Sequence, residues 1–235
     1  MAYNRPFKPK GSPWVPNVSH KVIPETVSTH IKKTHLNLHC LPFHQKIVYN
    51  EDMDFILVFK FITETFRREN IDFALIGGFA LQAAGVTRTT LDIDMLILSS
   101  DSSKIKKIML SHGYELIHES KDVLNFVGKK FELGRVDFLI AHRKYTLAMI
   151  NRAKEKPVFQ GKINIKVLKI EDQIGLKVQS SSNDPKRYHK DMADIRLLME
   201  NNYKKLDMKI LDEYFRLFNR QNELVDLKKE LRHAK

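Results

Sequence analysis

Cysteine is almost missing from the sequence: Cys40 stands alone among 235 residues. A single cysteine excludes an intramolecular disulfide framework and a cysteine-rich zinc site, and it suits a chain kept in the reducing cytosol. No stretch reaches the ~18 consecutive apolar residues of a membrane span, and the basic start lacks the apolar core of a secretion signal. The expectation is a cytoplasmic protein with no membrane association. Glycine is sparse as well, nine residues in all. None of them falls into G-x-x-x-x-G-K-[ST] or G-x-G-x-x-G, so the P-loop and the dinucleotide fingerprint are both absent. There are no internal repeats.

What is present is an ordinary apolar fraction, 43%, and a formal charge of +12. The first supports a sizeable core in one large domain or two small ones. The second favours polyanionic partners such as nucleic acid, with simple basic solubility as the plain alternative. Residues 1–50 carry seven Lys/Arg against one Asp/Glu, +6, so residues 51–235, with 33 against 27, carry the other +6. Those first fifty residues also hold six of the eight prolines and five of the ten histidines, without a helical or strand period. They read as a basic, poorly ordered arm. Arg5, Lys8, Lys10, Lys32 and Lys33 suit it to phosphates; solvated charge, or an upstream extension of a chain starting at Met53, are the other readings. His35, His39, Cys40 and His44 have metal-like spacing, but Pro42 breaks the helix that would align them and no second ligand group follows.

The most informative stretch is ALIGGFALQAAGVTRTTLDIDMLI, residues 74–97. An apolar run, 73–76, suits a buried strand; Gly77 and Gly78 close it; a short helix is expected over 79–84. After Thr90 the alternation of Leu91, Ile93 and Met95 with Asp92 and Asp94 suits a second strand carrying both carboxylates on one face. An amphipathic helix over 52–70 leads into the first strand. Downstream, the pattern predicts a helix over 103–112, strands over 114–118, 123–127 and 130–141, and a helix over 144–153. Short strands over 158–159 and 163–167 follow, then helices over 170–180, 185–201, 206–218 and 222–233. The strand at 130–141 places Asp137 on one face with Arg135 and Leu139, a third carboxylate in an apolar run. The expected fold is α+β, a mixed sheet flanked by helices and followed by a helical C-terminal part. Its divisions are the arm at 1–50, a catalytic domain at 51–168, and a helical domain at 169–235 that completes the cleft.

Asp92, Asp94 and Asp137 are the candidate catalytic and metal-binding residues. In nucleotidyl transfer, charge develops on both the attacking hydroxyl and the leaving pyrophosphate, and two divalent ions serve both oxygens. Mg²⁺ or Mn²⁺ takes hard oxygen ligands, so a site without His or Cys is the expected type. Gly77 and Gly78 allow the backbone to approach a triphosphate at the start of a helix. Arg88, in the loop before the acidic strand, can contact phosphates or fix Asp92 by an ion pair. Each feature has a structural alternative: strand aspartates that cap turns or pair with Arg88, Arg135 or a lysine, and glycines that only make a turn.

Ile76-Gly77-Gly78, thirteen intervening residues and Asp92-Ile93-Asp94-Met95 resemble the signature of the nucleotidyltransferase superfamily with a DNA polymerase β-like fold. The same stretch looks most like the AbiEii-type nucleotidyltransferases, toxins of bacterial toxin–antitoxin systems. Residues 171–198, EDQIGLKVQSSSNDPKRYHKDMADIRLL, are similar to that group's Leu-Lys and Arg/Lys-x-x-Lys-Asp-x-x-Asp-Ile patterns. The resemblance runs over about residues 70–200, and the arm matches nothing in it. It implies Gly77 and Gly78 at the phosphates, Asp92 and Asp94 on metal, and Asp137 as third carboxylate or base. It also implies Lys177 as a phosphate ligand and Asp191 as a residue completing the nucleotide site. The implied activity is transfer of NMP from an NTP such as ATP to a hydroxyl of a macromolecule, with tRNA as a possible acceptor and an antitoxin protein as a possible partner. Two alternatives stand beside it: nucleotidylation of a small molecule, as in antibiotic-modifying enzymes, and a non-catalytic nucleotide-binding or antitoxin-like module.

Overall fold

A computed structural model describes residues 53–233 of the chain. The N-terminal arm and its histidine group lie outside the described residues. Helix α1, Phe55–Arg68, starts where the Asp54 carboxylate accepts the Leu57 N–H at 3.0 Å, which satisfies one of the free donors of the first turn. Val58, Phe59, Ile62 and Phe66 form its buried stripe, and Arg67 and Arg68 stand at the negative end of its dipole. Strand β1, Phe73–Ile76, is buried on all four residues and runs directly into helix α2, Gly77–Ala83. Then come β2, Asp92–Leu98; α3, Ser102–Ser111; β3, Tyr114–Glu119; β4, Val123–Gly128; and β5, Arg135–Ala141. Helix α4, Lys144–Arg152, precedes a hairpin of β6, Lys154–Val158, and β7, Ile163–Val167. Helices α5, Ile170–Asn183; α6, Tyr188–Asn202; α7, Met208–Leu217; and α8, Gln221–His233, complete the described chain.

The seven strands form one mixed sheet in the order β3-β4-β5-β2-β1-β7-β6. Strand β2 sits at its centre, antiparallel to β1 and parallel to β5. One face of β2 and β5 carries Ile93, Met95 and Ile97 beside Val136, Phe138 and Ile140, packed with Phe59, Ile62 and Phe66 of α1 and Ile105 and Met109 of α3. The opposite face is apolar only toward the strand ends. There Leu96, Leu98, Leu139 and Ala141 meet Met149 and Ile150 of α4 and Tyr214 of α7. At the strand starts the same face carries Asp92, Asp94 and Asp137, because the side-chain period is two.

A third cluster joins Leu81 and Val86 to Ile174, Val178, Ile195, Leu198 and Phe215 of the following helices. Burial of a side chain such as Leu81 contributes roughly 1.5–3 kcal/mol, so α2 is held against α5 and α6 and not only against its own strand. Across the same junction, the wholly buried Asp172 accepts from Arg152 at 2.6 Å and from the Tyr214 hydroxyl at 2.6 Å. These contacts set the C-terminal helices over the acidic face.

The expected elements are present, with boundaries corrected in three places. The strand expected over 130–141 is a 3-10 turn, Phe131–Leu133, followed by β5, because Gly134 takes a φ of 55° that breaks the extended run. The strand expected at 158–159 is the end of the longer β6, and Phe159 and Gln160 turn at positive φ. The helix expected over 185–201 begins with a separate 3-10 turn, Pro185–Arg187, entered through Asp184.

Candidate active site

The register of the central strands builds the site. Asp94 pairs with Asp137 across the parallel β2–β5 ladder, and Asp92 precedes Asp94 by two on the same face. One carboxylate oxygen from each of Asp92, Asp94 and Asp137 lies within 4.8 Å of the others. Two negative charges at such a separation repel by about 3 kcal/mol at an effective dielectric near 20. The strain is visible on Asp94: burial, then the charges of Asp92 and Asp137, raise its carboxyl to about 6, against the lowering influence of Lys177 and of the Gly78 N–H.

The structural alternatives for these aspartates fare unevenly. Asp92 accepts from the Thr90 hydroxyl at 2.9 Å. Asp137 has Arg135 only at 4.0 Å, with the arginine more than half exposed. The other oxygen of Asp137, Oδ1, is buried without any hydrogen-bond partner among the described residues. A buried oxygen left unpaired costs roughly 1–3 kcal/mol or more when charged, so a ligand for it is the expected resolution. Three hard oxygen donors, mutual repulsion and one orphaned acceptor fit Mg²⁺ or Mn²⁺.

Gly77 and Gly78 are placed by this cluster. Gly77 has a φ of +64°, and a Cβ there would stand 1.9 Å from Oδ2 of Asp94. A Cβ on Gly78 would stand 2.5 Å from the Thr90 side chain. The space released by the two missing side chains is thus filled by Asp94 of the acidic strand and by Thr90 just before that strand. Both residues also line the cleft above it.

The cleft has a volume of about 570 Å³ and reaches from the three aspartates to α5 and α6. Lys177 of α5 stands on its wall, 3.3 Å from Asp191 and 2.5 Å from Asp194. Asp194 also accepts from Arg88, and Asp191 from Arg187 at 3.3 Å. Arg88 therefore pairs with Asp194, not with Asp92 as one sequence reading had it: the arginine reaches across the cleft to α6, while Thr90 occupies Asp92. Three cations shared between two carboxylates leave one positive charge in surplus, facing an acidic floor. Asp191 is wholly buried and lies in this ionic chain rather than in the carboxylate cluster.

Asp194, Arg187 and Thr90 were not singled out as site residues from sequence. The first two stand in the stretch PKRYHKDMADI, and the i, i+3 spacing of Asp191 and Asp194 already put them on one helix face. Thr90 carried no signal beyond its proximity to Asp92.

No helix among the described residues is long and apolar enough to cross a membrane. No protein-family model matches the sequence, and no curated protein does. Solved structures do. A crystal structure of ANT(2'')-Ia in complex with adenylyl-2''-tobramycin matches at 16% identity and a TM-score of 0.51, over 71% of this chain and 98% of that one. A solution structure of the antibiotic-resistance factor ANT(2'')-Ia matches with the same identity and TM-score, over 77% and 100%. An antigenic nucleotidyltransferase-like protein from Paracoccidioides brasiliensis follows at 14% identity and a TM-score of 0.49, over 76% and 92%. The likeness to ANT(2'')-Ia establishes the architecture: this chain has a nucleotidyltransferase-type fold, a mixed sheet flanked by helices with further helices after it.

Proposed function

We propose that the protein is a metal-dependent nucleotidyltransferase that moves NMP from an NTP, ATP being the first to try, to a hydroxyl of a macromolecular acceptor such as tRNA. The observation that carries this reading is the gathering of Asp92, Asp94 and Asp137 within 4.8 Å at the floor of a cleft whose wall holds Lys177, Arg88 and Arg187. Asp92, Asp94 and Asp137 hold Mg²⁺ or Mn²⁺. When bound, the ions neutralise charge on the attacking and leaving oxygens. Lys177 and Arg88 bind the triphosphate with the backbone at Gly77 and Gly78, and Asp191 keeps Lys177 in place. The acceptor oxygen forms a bond to the α-phosphorus, the bond to the pyrophosphate oxygen breaks, pyrophosphate leaves with that electron pair, and the hydroxyl proton passes to Asp137. In this reading residues 51–168 are the catalytic domain, residues 169–235 complete the cleft, and residues 1–50 are a basic arm. The sequence resemblance to AbiEii-type toxins supports a cytoplasmic toxin held in check by an antitoxin protein.

Incubation of the purified protein with Mg²⁺, each labelled NTP and total RNA tests the activity. Label transferred by the wild type and not by Asp94→Ala is the expected result. Normal NTP binding without transfer to RNA or protein would remove the activity from this reading. The fold shared with ANT(2'')-Ia, whose crystal structure holds an adenylylated tobramycin, favours a second reading, nucleotidylation of a small hydroxylated molecule. Transfer of label to an aminoglycoside in preference to RNA would select it.

A further inference from the structure

Arg220 stands just before α8, only 9% exposed, and lines no part of the cleft. We propose that it is a positioning residue for the nucleotide: gripped by Glu223 and covered by Tyr188, it fixes the α5–α6 connection so that Lys177 and Arg187 face the triphosphate. The proposal rests on the transferase reading and adds a residue outside the cleft that governs its affinity for the NTP.

The guanidinium is aimed by Glu223, which accepts from Nε at 2.7 Å and from Nη2 at 2.6 Å, a two-point pairing that fixes plane as well as place. Its backbone is fixed too: after Asn219 takes a φ of 57°, the Arg220 N–H donates to the Phe215 carbonyl at 2.8 Å. From there it reaches chain neighbours of three cleft residues. Toward Lys177, Nη1 donates to Ser181 Oγ at 2.5 Å, and that hydroxyl donates to the Lys177 carbonyl at 2.7 Å. Toward Asp191, Nη2 meets Met192 Sδ at 3.0 Å. Toward Arg187, Cζ lies 5.2 Å from the ring centroid of Tyr188, whose hydroxyl donates to Glu223 at 3.1 Å. Lys177, Asp191 and Arg187 are consecutive links in the ionic chain on the cleft wall.

The wall needs such an anchor. Residues 182–190, which carry Arg187 and Lys190 along the cleft, are all exposed. A segment with so little buried apolar surface is held by its polar ties. Helix α5 ends in Ser180-Ser181-Ser182-Asn183 with no basic residue in its last turn. The cation that answers its dipole is therefore borrowed: Arg220 Nη1 donates to the Val178 carbonyl at 3.2 Å. Loss of the guanidinium frees the end of α5 and Tyr188 together. Lys177 and Arg187 then lose their common reference, while the aspartates, fixed in β2 and β5, keep theirs.

The test compares the wild type with Arg220→Met, which keeps the stem and removes the fork, with Tyr188→Leu, which removes the ring, and with Tyr188→Phe, which keeps it. Binding of each labelled NTP, Mn²⁺ affinity and transfer to total RNA are measured at a temperature where thermal melts show each protein folded. Arg220→Met and Tyr188→Leu are expected to raise the Kd and KM of the NTP about tenfold, with kcat and Mn²⁺ affinity within about twofold of the wild type. Tyr188→Phe should stay within about twofold throughout. A merely structural role would lower the active fraction, and so kcat, and leave KM unchanged. If Arg220→Met does not fold, Tyr188→Leu decides, at a residue 37% exposed. A folded variant with an unchanged NTP Kd, or with Mn²⁺ affinity falling in step, would overturn the positioning role and leave the transferase reading standing. NTP binding weakened in the variants, with no transfer by the wild type, would sustain the positioning role and sink the transferase reading. A wild type that binds no NTP would overturn both.

Discussion

Replacing Asp94 by asparagine should stabilise the metal-free protein at neutral pH, which is the reverse of what removing a buried charged residue usually does. Asp94 is raised from 3.8 to about 6 by burial and by the charges of Asp92 and Asp137. At about 1.4 kcal/mol per pH unit, that difference is about 3 kcal/mol between its protonated and ionised forms. The folded-state value lies above the unfolded one, so the folded chain holds the proton more tightly. The associated stability is fully present below about pH 4 and lost as pH rises through about 6. Asparagine keeps the shape and the neutral state at every pH. The variant should therefore match the wild type near pH 4 and exceed it by up to about 3 kcal/mol at pH 8.

Urea unfolding of both proteins in chelator, at half-unit steps from pH 4 to pH 8, reads the difference for the carboxylate cluster, because titrating groups away from it are common to the two. Saturating Mg²⁺ should then narrow the gap at pH 8. The wild type gains about 2.7 kcal/mol at a hundred times the ion's Kd, and the variant, with one ligand lost, gains less. A wild-type-minus-variant difference that stays flat across the pH range would refute the claim that the three carboxylates crowd one another. A Mg²⁺ response equal in the two proteins would refute the metal site even if the pH dependence held.

Three further outcomes are expected. Gly77→Ala should cost at least the roughly 1–2 kcal/mol of a left-handed alanine and, because its Cβ would fall 1.9 Å from Asp94, should also abolish Mn²⁺ binding measured by electron paramagnetic resonance; retained Mn²⁺ binding would contradict the packing. Asp194→Asn removes the charge that holds Arg88 and Lys177 together and should weaken labelled ATP binding about tenfold, with Mn²⁺ affinity unchanged. Asp172→Asn strands Arg152 beside a neutral amide and should lower stability by about 3 kcal/mol, the lower end for breaking a buried ion pair, without moving Mn²⁺ affinity.

The sequence made part of the site legible because part of it is local. Asp92 and Asp94 share a face through a period of two, and no tertiary information is needed for that. Their meeting with Asp137 depends on β5 lying parallel and next to β2 in register Asp94–Asp137, and nothing in either strand specifies that partner. The chemistry of three carboxylates suggested their meeting; the pairing was not readable. Arg88 shows the limit more sharply. Its nearest acid in sequence is Asp92, but its partner is Asp194, 106 residues on, because Leu81 and Val86 carry the end of α2 and its following loop into the core of the C-terminal helices.

The glycines carry the more general point. Gly-Gly before a helix reads as an anion site, since bare backbone and free N–H groups suit phosphate. In the folded chain the nearest groups to the missing Cβ atoms are Asp94 and Thr90, so the glycines are required first by the acidic strand and the residue leading into it. The two requirements are linked. A Gly77 side chain would collide with the Asp94 carboxylate, and a Gly78 side chain with Thr90, whose hydroxyl donates to Asp92. Either collision forces a shift in the groups that position the acidic cluster. In the proposed reading a phosphate above the glycines is useful only while the carboxylate oxygens converge beneath it, so under that reading one pair of residues would serve both the floor of the cleft and its anion-facing wall.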